Sequence, residues 1–335
     1  MPLVDMPLEA LESFRPDLVE PQDFDDFWRG TLNEAQAAAS DRGTDVTASP
    51  ADSPVRTLDV LDVTFPGFAG EPIKAWLIKP VSSLPLPLVI EYIGYGGGRG
   101  LTIDRLAWAS CGFAHLVVDT RGQGSSWGNG SDTPDFAPSG PSHPGFMTRG
   151  ILDPRQHYYR RAITDAARAI DAAPQLPGVD ATRVVLTGVS QGGGLTIAAA
   201  GLRPDAVVAA MPDVAFLCNI RRGSELSDVD PYREIKDYLA VRRGEVEQAF
   251  RTLSYVDAVH HAKRATAPSL WSVGLMDDCC PPSTTFSAYN WYGALAATEP
   301  ARRMEVYPFN GHDGGGNAHV LKQIAFARAL TGTDA

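Results

Sequence analysis

"TGVSQGGG", residues 187–194, follows the apolar run "RVVL" and precedes "LTIAAAGL". A lone serine, Ser190, thus stands among Gly188, Gly192, Gly193 and Gly194, after a strand-like run and at the entrance to a helix-like one. Gly188, Ser190 and Gly192 make G-x-S-x-G, and the strand before and helix after give that spacing its meaning. In so sharp a turn the serine backbone is strained and its hydroxyl stands proud of the sheet. A side chain at either flanking glycine would collide with the neighbouring strand or helix. The helix expected from Gln191 aims N–H groups and the positive end of its dipole at any developing oxyanion. A chance match in a chain with 32 glycines is the bland reading, and the flanking elements weigh against it.

Outward from this turn, the chain from about residue 84 alternates short apolar runs with helical patterns, which predicts a mostly parallel sheet with crossover helices. The runs are "LPLVIEY", "FAHLVVD", "RVVLTGV", "AVVAAMPDV", "PSLWSVG" and "RRMEVYPF". One intervening helix is expected to be capped by Asp153, with Pro154 in its first turn and Tyr159, Ile163, Ala166, Ala167 and Ile170 at helical spacing. The last helix is "NAHVLKQIAFARAL". Upstream, "LDVLDVTF" and "EPIKAWLIK" alternate around "PGFAG" as an antiparallel hairpin. Before them, "SDRGTDVTASPADSP" reads as a linker and "DFDDFWRGTLNEAQAAA" as a helix with Phe24, Phe27, Trp28 and Leu32 on one face. Two insertions interrupt the pattern: a Gly/Pro/Ser-rich loop over 121–150 and a charged helical stretch over 217–263 that is placed to cover the site. The expectation is one α/β domain over 1–335, with 1–54 as an N-terminal extension and linker.

Composition narrows the function. The 335 residues are 44% hydrophobic and 21% charged, with a formal net charge of −11 and a pI near 5.1. That balance argues against nucleic acid or an anionic membrane as partner. No apolar stretch is long enough for a signal peptide or a membrane span, so a cytoplasmic protein is expected. Cys111, Cys218, Cys279 and Cys280 contain no C-x-x-C pair, and the reading for them is buried free thiols.

A serine hydroxyl needs a base, and the base an orienting carboxylate. In α/β-hydrolases these follow in the order Ser, Asp or Glu, His, each on a loop after a later strand. His115 falls in a strand, His143 and His157 precede the serine, His260 and His261 belong to the helical insertion, and His319 sits on the last helix. Only His312, in "FNGHDGGG", occupies a loop after the last strand. For the acid, "LMDDCCPPS" offers Asp277 and Asp278, which position alone does not separate; the alternative role for either is a cap on the next helix. Asp313 is weaker, because adjacent side chains rarely face each other.

The second oxyanion donor is expected from "YIGYGGGRG", from Tyr92 or its neighbours. A dinucleotide reading of that loop, with Asp119 about 20 residues on as the ribose carboxylate, fails because Arg99 and Leu101 stand where the last glycine of G-x-G-x-x-G is needed. There is no H-E-x-x-H, and His260 and His261 are adjacent rather than facing, so no metal or other cofactor is expected.

With Ser190, Asp277 and His312 in place, "EYIGYGGGRG", "DTRGQGSSW", "GFMTRGILDP", "SQGGG", "SVGLMDDCCPPST" and "GHDGGG" together resemble the acetyl xylan esterase and cephalosporin C deacetylase family, carbohydrate esterase family seven. "DMPLEALESFRPD" and "DFDDFW" extend the likeness over nearly the whole chain. The resemblance implies an α/β-hydrolase fold with Ser190 as nucleophile, His312 as base and Asp277, rather than Asp278, as its orienting acid. It further implies an oxyanion hole of the Tyr92 and Gln191 N–H groups, and structural support from Arg121, Gly122 and Gln123. Val189 departs from the glycine common there, and Asp313 from the usual glutamate. The implied activity is removal of acetyl groups from acetylated xylo-oligosaccharides and cephalosporin C by a cytoplasmic homohexamer. A serine peptidase or amidase of the same fold is the alternative within enzymes, and a non-catalytic binding protein the alternative outside them.

Overall fold

The computed structural model describes residues 3, 5–136 and 143–333. Nine strands form one sheet: β1 (Thr47–Pro50), β2 (Leu58–Pro66), β3 (Pro72–Pro80), β4 (Leu86–Tyr92), β5 (Ala114–Val118), β6 (Val179–Val189), β7 (Ala209–Asp213), β8 (Ser269–Gly274) and β9 (Arg302–Tyr307). Their order is β1-β2-β3-β5-β4-β6-β7-β8-β9. The β1, β2, β3 and β5 contacts are antiparallel, and every pairing from β5–β4 to β8–β9 is parallel. The helices are α1 (Leu8–Ser13), α2 (Phe24–Arg42), α3 (Ala107–Ser110), α4 (Tyr158–Ala172), α5 (Gln191–Leu202), α6 (Ile220–Leu226), α7 (Tyr232–Val241), α8 (Val246–Ser254), α9 (Ala258–Ala262), α10 (Pro282–Trp291) and α11 (Gly316–Thr331). This is an α/β-hydrolase fold.

The two-residue period of the strands sorts side chains into two layers. Leu88, Ile90 and Tyr92 of β4 and Val184 and Leu186 of β6 join the core formed with α2, α4, α5 and α9. Val89 and Val185 point the other way, into a smaller core with Trp108 of α3 and Ile324 and Ala327 of α11. Burial on both faces is why the parallel strands read as continuous apolar runs. Phe24, Phe27, Trp28 and Leu32 are all buried, which docks α2 on the larger core.

Two local expectations are corrected. The stretch expected as linker contains β1, whose four residues are all exposed and which pairs with β2 from Thr47↔Thr64 to Pro50↔Leu61. With no buried face, it carries no alternation to read. The cap of α4 is not Asp153 but His157, whose extended backbone halts the preceding turn and whose ring accepts the Tyr159 N–H. Asp153 instead orders that turn, its carboxylate accepting the Arg155 N–H and its carbonyl the His157 N–H. The insertion over 217–263 is helical, comprising α6 to α9. Of the loop expected over 121–150, residues 137–142 lie outside the described residues.

Candidate active site

The turn between β6 and α5 holds Ser190 at φ 60°, ψ −119°, a left-handed backbone that costs a non-glycine residue roughly 1–3 kcal/mol. The surroundings enforce it: the Ser190 N–H donates to the Asp213 carbonyl at 2.9 Å, and the Ser190 carbonyl accepts the N–H groups of Gly194 and Phe216. A Cβ on Gly188 would lie 2.4 Å from the Gly192 backbone, and one on Gly192 would lie 2.1 Å from the Tyr92 carbonyl. Both glycines are therefore demanded by backbone approach.

Asp277 lies past the end of β8 and is fully buried; its Oδ2 meets His312 Nδ1 at 2.8 Å. Its Oδ1 accepts the N–H groups of Cys279 and Cys280, each at 2.9 Å. One carboxylate thus orders its own turn and reaches the histidine. Asp278 is exposed and contributes its carbonyl to Ser227. Asp313 accepts a hydrogen bond from Asn310 Nδ2 at 2.7 Å.

Ser190 and His312 line one cavity of about 520 Å³ with Gly94, Tyr95, Trp127, Val189, Asp230, Pro231 and Cys279. Of the other described histidines, His115 pairs with Glu91, His260 with Glu20 and His319 with Asp213, His157 caps α4, His261 packs on Phe24 and Trp28, and His143 is exposed next to Pro144 of the cavity lining. Asp230 and Pro231 bring the insertion to the cavity wall. Glu234 of α7 locks it there by accepting the Gly145 and Met147 N–H groups at 2.8 and 3.0 Å and the Tyr95 hydroxyl.

Tyr92 ends β4, paired on one side with Val118 and on the other with Gly188, and its phenol donates to the Ala166 carbonyl. The loop beyond it crosses Ser190: a Cβ on Gly94 would lie 4.0 Å from that of the serine. Among the described residues, neither the Gln191 N–H nor the Tyr95 N–H has a hydrogen-bond acceptor. Gln123 ties these two arms together. Its Oε1 accepts the Gly96 N–H at 2.7 Å, and its Nε2 donates to Gln191 Oε1 at 2.8 Å and Tyr158 Oη at 3.0 Å. Arg121, fully buried, is held by Asp165 and Glu71, and its carbonyl accepts the Tyr158 hydroxyl. Gly122 turns the chain at φ 65°, its N–H on the Thr133 carbonyl.

The electrostatics centre on His312. Burial works against its protonated form, but the Asp277 hydrogen bond and then Cys279 outweigh that and raise its pKa from 6.5 to about 10. Cys279 moves the other way, from 9.0 to about 6, through the Cys280 thiol first and then, against burial, through His312. The expectation of buried thiols fails at Cys279, which is half-buried on the cavity wall. Cys218 and Cys280 are buried as expected, and Cys111 is partly exposed. Cysteine spacing held no sign of this contact, which forms only where the loops after β8 and β9 meet.

Comparison with known proteins gives concordant results. The family model described as acetyl xylan esterase matches residues 1–330. An acetyl xylan esterase from Paenibacillus sp. R4 superposes with a TM-score of 0.85 at 38% identity, covering 97% of this chain and 100% of that one. Acetyl xylan esterase 1 from Thermoanaerobacterium sp. JW/SL YS485 gives 0.84 at 32% identity, covering 97% and 99%. The acetyl esterase Axe7A of Xylanibacter ruminicola is 27% identical over 310 residues, 90% of this chain, which spans 65% of that protein's length.

Proposed function

This chain belongs to the acetyl xylan esterase family, and from that premise we propose that it hydrolyses acetate esters of small acetylated molecules, xylo-oligosaccharides and cephalosporin C among them, through an acetyl-serine intermediate. The observation that carries the reading is the Ser190 hydroxyl, held by a strained turn at the head of α5, in one cavity with a histidine whose Nδ1 is 2.8 Å from a fully buried aspartate.

In this mechanism His312 Nε2 takes the Ser190 proton as the oxygen attacks the acetyl carbonyl, while Asp277 fixes the ring and stabilises the imidazolium. The oxyanion is held by the Gln191 N–H at the helix N-terminus and by the Tyr95 N–H. Tyr95 takes the place first expected for Tyr92, because the Tyr92 backbone is engaged within the sheet whereas the Tyr95 amide lacks an acceptor among the described residues. His312 then protonates the departing alcohol, and water repeats the sequence on the acetyl-enzyme. A cavity of about 520 Å³ suits a small ester. No helix among the described residues is long and apolar enough to cross a membrane. A cytoplasmic homohexamer belongs to the same proposal, and light scattering on the purified chain tests its size.

The test is acetate release from acetylated xylo-oligosaccharide, cephalosporin C and an acetamide control, with Ser190→Ala alongside. The expected result is release from the esters, little from the amide, and a fall of about 10⁴-fold or more in kcat for the variant. Cleavage of the amide alone, or a variant matching wild type, would overturn the proposal.

A further inference from the structure

The cavity that holds Ser190 also presents sulfur that takes no covalent part in ester hydrolysis. Cys279 Sγ, Cys280 Sγ and a ring nitrogen of His312 all lie within 4.8 Å of one another. Cys279 faces the cavity, and Cys280 is fully buried beside it. The group is ordered before any ligand arrives, because Asp277 grips the N–H groups of both cysteines with one oxygen and His312 with the other. Two sulfurs and an imidazole are the donors that zinc and its softer congeners favour, whereas magnesium and calcium seek oxygen. Metal–sulfur bonds of about 2.3 Å in a tetrahedron put sulfurs about 3.8 Å apart, so the donors need close by only about an ångström.

We propose that Cys279, Cys280 and His312 bind a thiophilic divalent cation of the Zn²⁺ or Cd²⁺ class, and that its binding switches hydrolysis off. The cysteines ligate as thiolates and the imidazole as the neutral ring, and whatever protons these groups carry beforehand leave to solvent. The loss of activity follows whichever ring nitrogen is taken. A cation on Nε2 consumes the lone pair that accepts the serine proton. A cation on Nδ1 breaks the 2.8 Å contact with Asp277. Either way the base is lost. This inhibitory half rests on the hydrolase reading above, and the binding half does not.

The experiment uses the full, reduced, chelator-treated chain as wild type, Cys279→Ser and Cys280→Ala, with circular dichroism reporting the fold of each. Cd²⁺ is titrated by calorimetry and by the ultraviolet cadmium–thiolate charge-transfer band, and 4-nitrophenyl acetate hydrolysis is followed with Zn²⁺ and with Mg²⁺. The expected result is one Cd²⁺ per chain with a thiolate band, at least tenfold weaker binding in Cys279→Ser, and inhibition by Zn²⁺ but not Mg²⁺ that a chelator reverses. Absence of the band, or equal affinity in a folded Cys279→Ser, would overturn the site. A full band with undiminished hydrolysis would overturn the inhibition alone. A metal-free enzyme that hydrolyses no ester would instead count against the hydrolase reading, leaving the cadmium titration to decide the site. If Cys280→Ala does not fold, Cys279→Ser carries the test.

Discussion

At position 312 an imidazole is shared between Asp277, which holds it, and Cys279, which adds a second negative partner. In the proposed mechanism His312 acts only when neutral, so a pKa raised from 6.5 to about 10 places the rising limb of kcat/KM on the alkaline side of an ordinary histidine. Removing the thiolate lowers the energy of the neutral ring relative to the protonated one. Cys279→Ser is therefore expected to move that limb to lower pH in a kcat/KM–pH profile, and an unmoved limb would exclude Cys279 from control of the base. The proposed triad, Ser190, Asp277 and His312, can be named from sequence because G-x-S-x-G and the order of the loops constrain it. Position left Asp277 and Asp278 tied, and the structure separates them by burial: the first is sealed against His312 and the second is exposed. Cys279 was illegible for a plain reason. Its role depends on a contact between two loops 33 residues apart in sequence, and adjacent cysteines have no spacing that signals it.

Most elements that carry the site can be read from periodicity, including the half-buried β9, whereas the fully exposed β1 cannot. Strands β4 to β8 announce themselves as apolar runs because helices cover both their faces. The exposed β1 has no such mark, and the α4 cap was misplaced because His157, an uncommon capping residue, takes the role that Asp153 and Pro154 advertise. The elbow between β6 and α5 tolerates least. Gly192→Ala sets a Cβ 2.1 Å from the Tyr92 carbonyl, so β4 and α5 must part. The expected cost is about 1–3 kcal/mol of stability. Displacement of the Gln191 N–H should also lower kcat by about 10²-fold. Thermal unfolding and steady-state kinetics on one preparation measure both, and a variant of wild-type stability and rate would show that the approach is not tight.

At the scale of the molecule, burial favours the uncharged form of two histidines among the described residues, His157 and His261. Burial lowers the His157 pKa from 6.5 to about 4 and that of His261 to about 3. The unfolded chain protonates these rings near 6.5 while the folded one resists, so the stability they support is complete above that pH and drains away as pH falls toward the folded values. Acidifying from about pH 7 to about pH 5 should cost about 1–2 kcal/mol per histidine. His261→Phe, which fills the same space between Phe24 and Trp28 with a ring that does not titrate, should flatten part of that slope. Denaturant unfolding across the range checks it, and a variant with the full wild-type slope would assign the acid loss elsewhere. Neither effect was visible in the sequence, where the two residues are simply histidines in helical patterns.

The most direct measurement of the central claim is the identity of the residue that carries the acetyl group. Enzyme mixed with 4-nitrophenyl acetate, quenched in acid during turnover and digested, is mapped by mass spectrometry. One acetyl group on the peptide containing Ser190, absent in Ser190→Ala, is the predicted result. Acetyl on Cys279 instead, or steady turnover with Ser190 unmodified and still present in Ser190→Ala, would contradict the account.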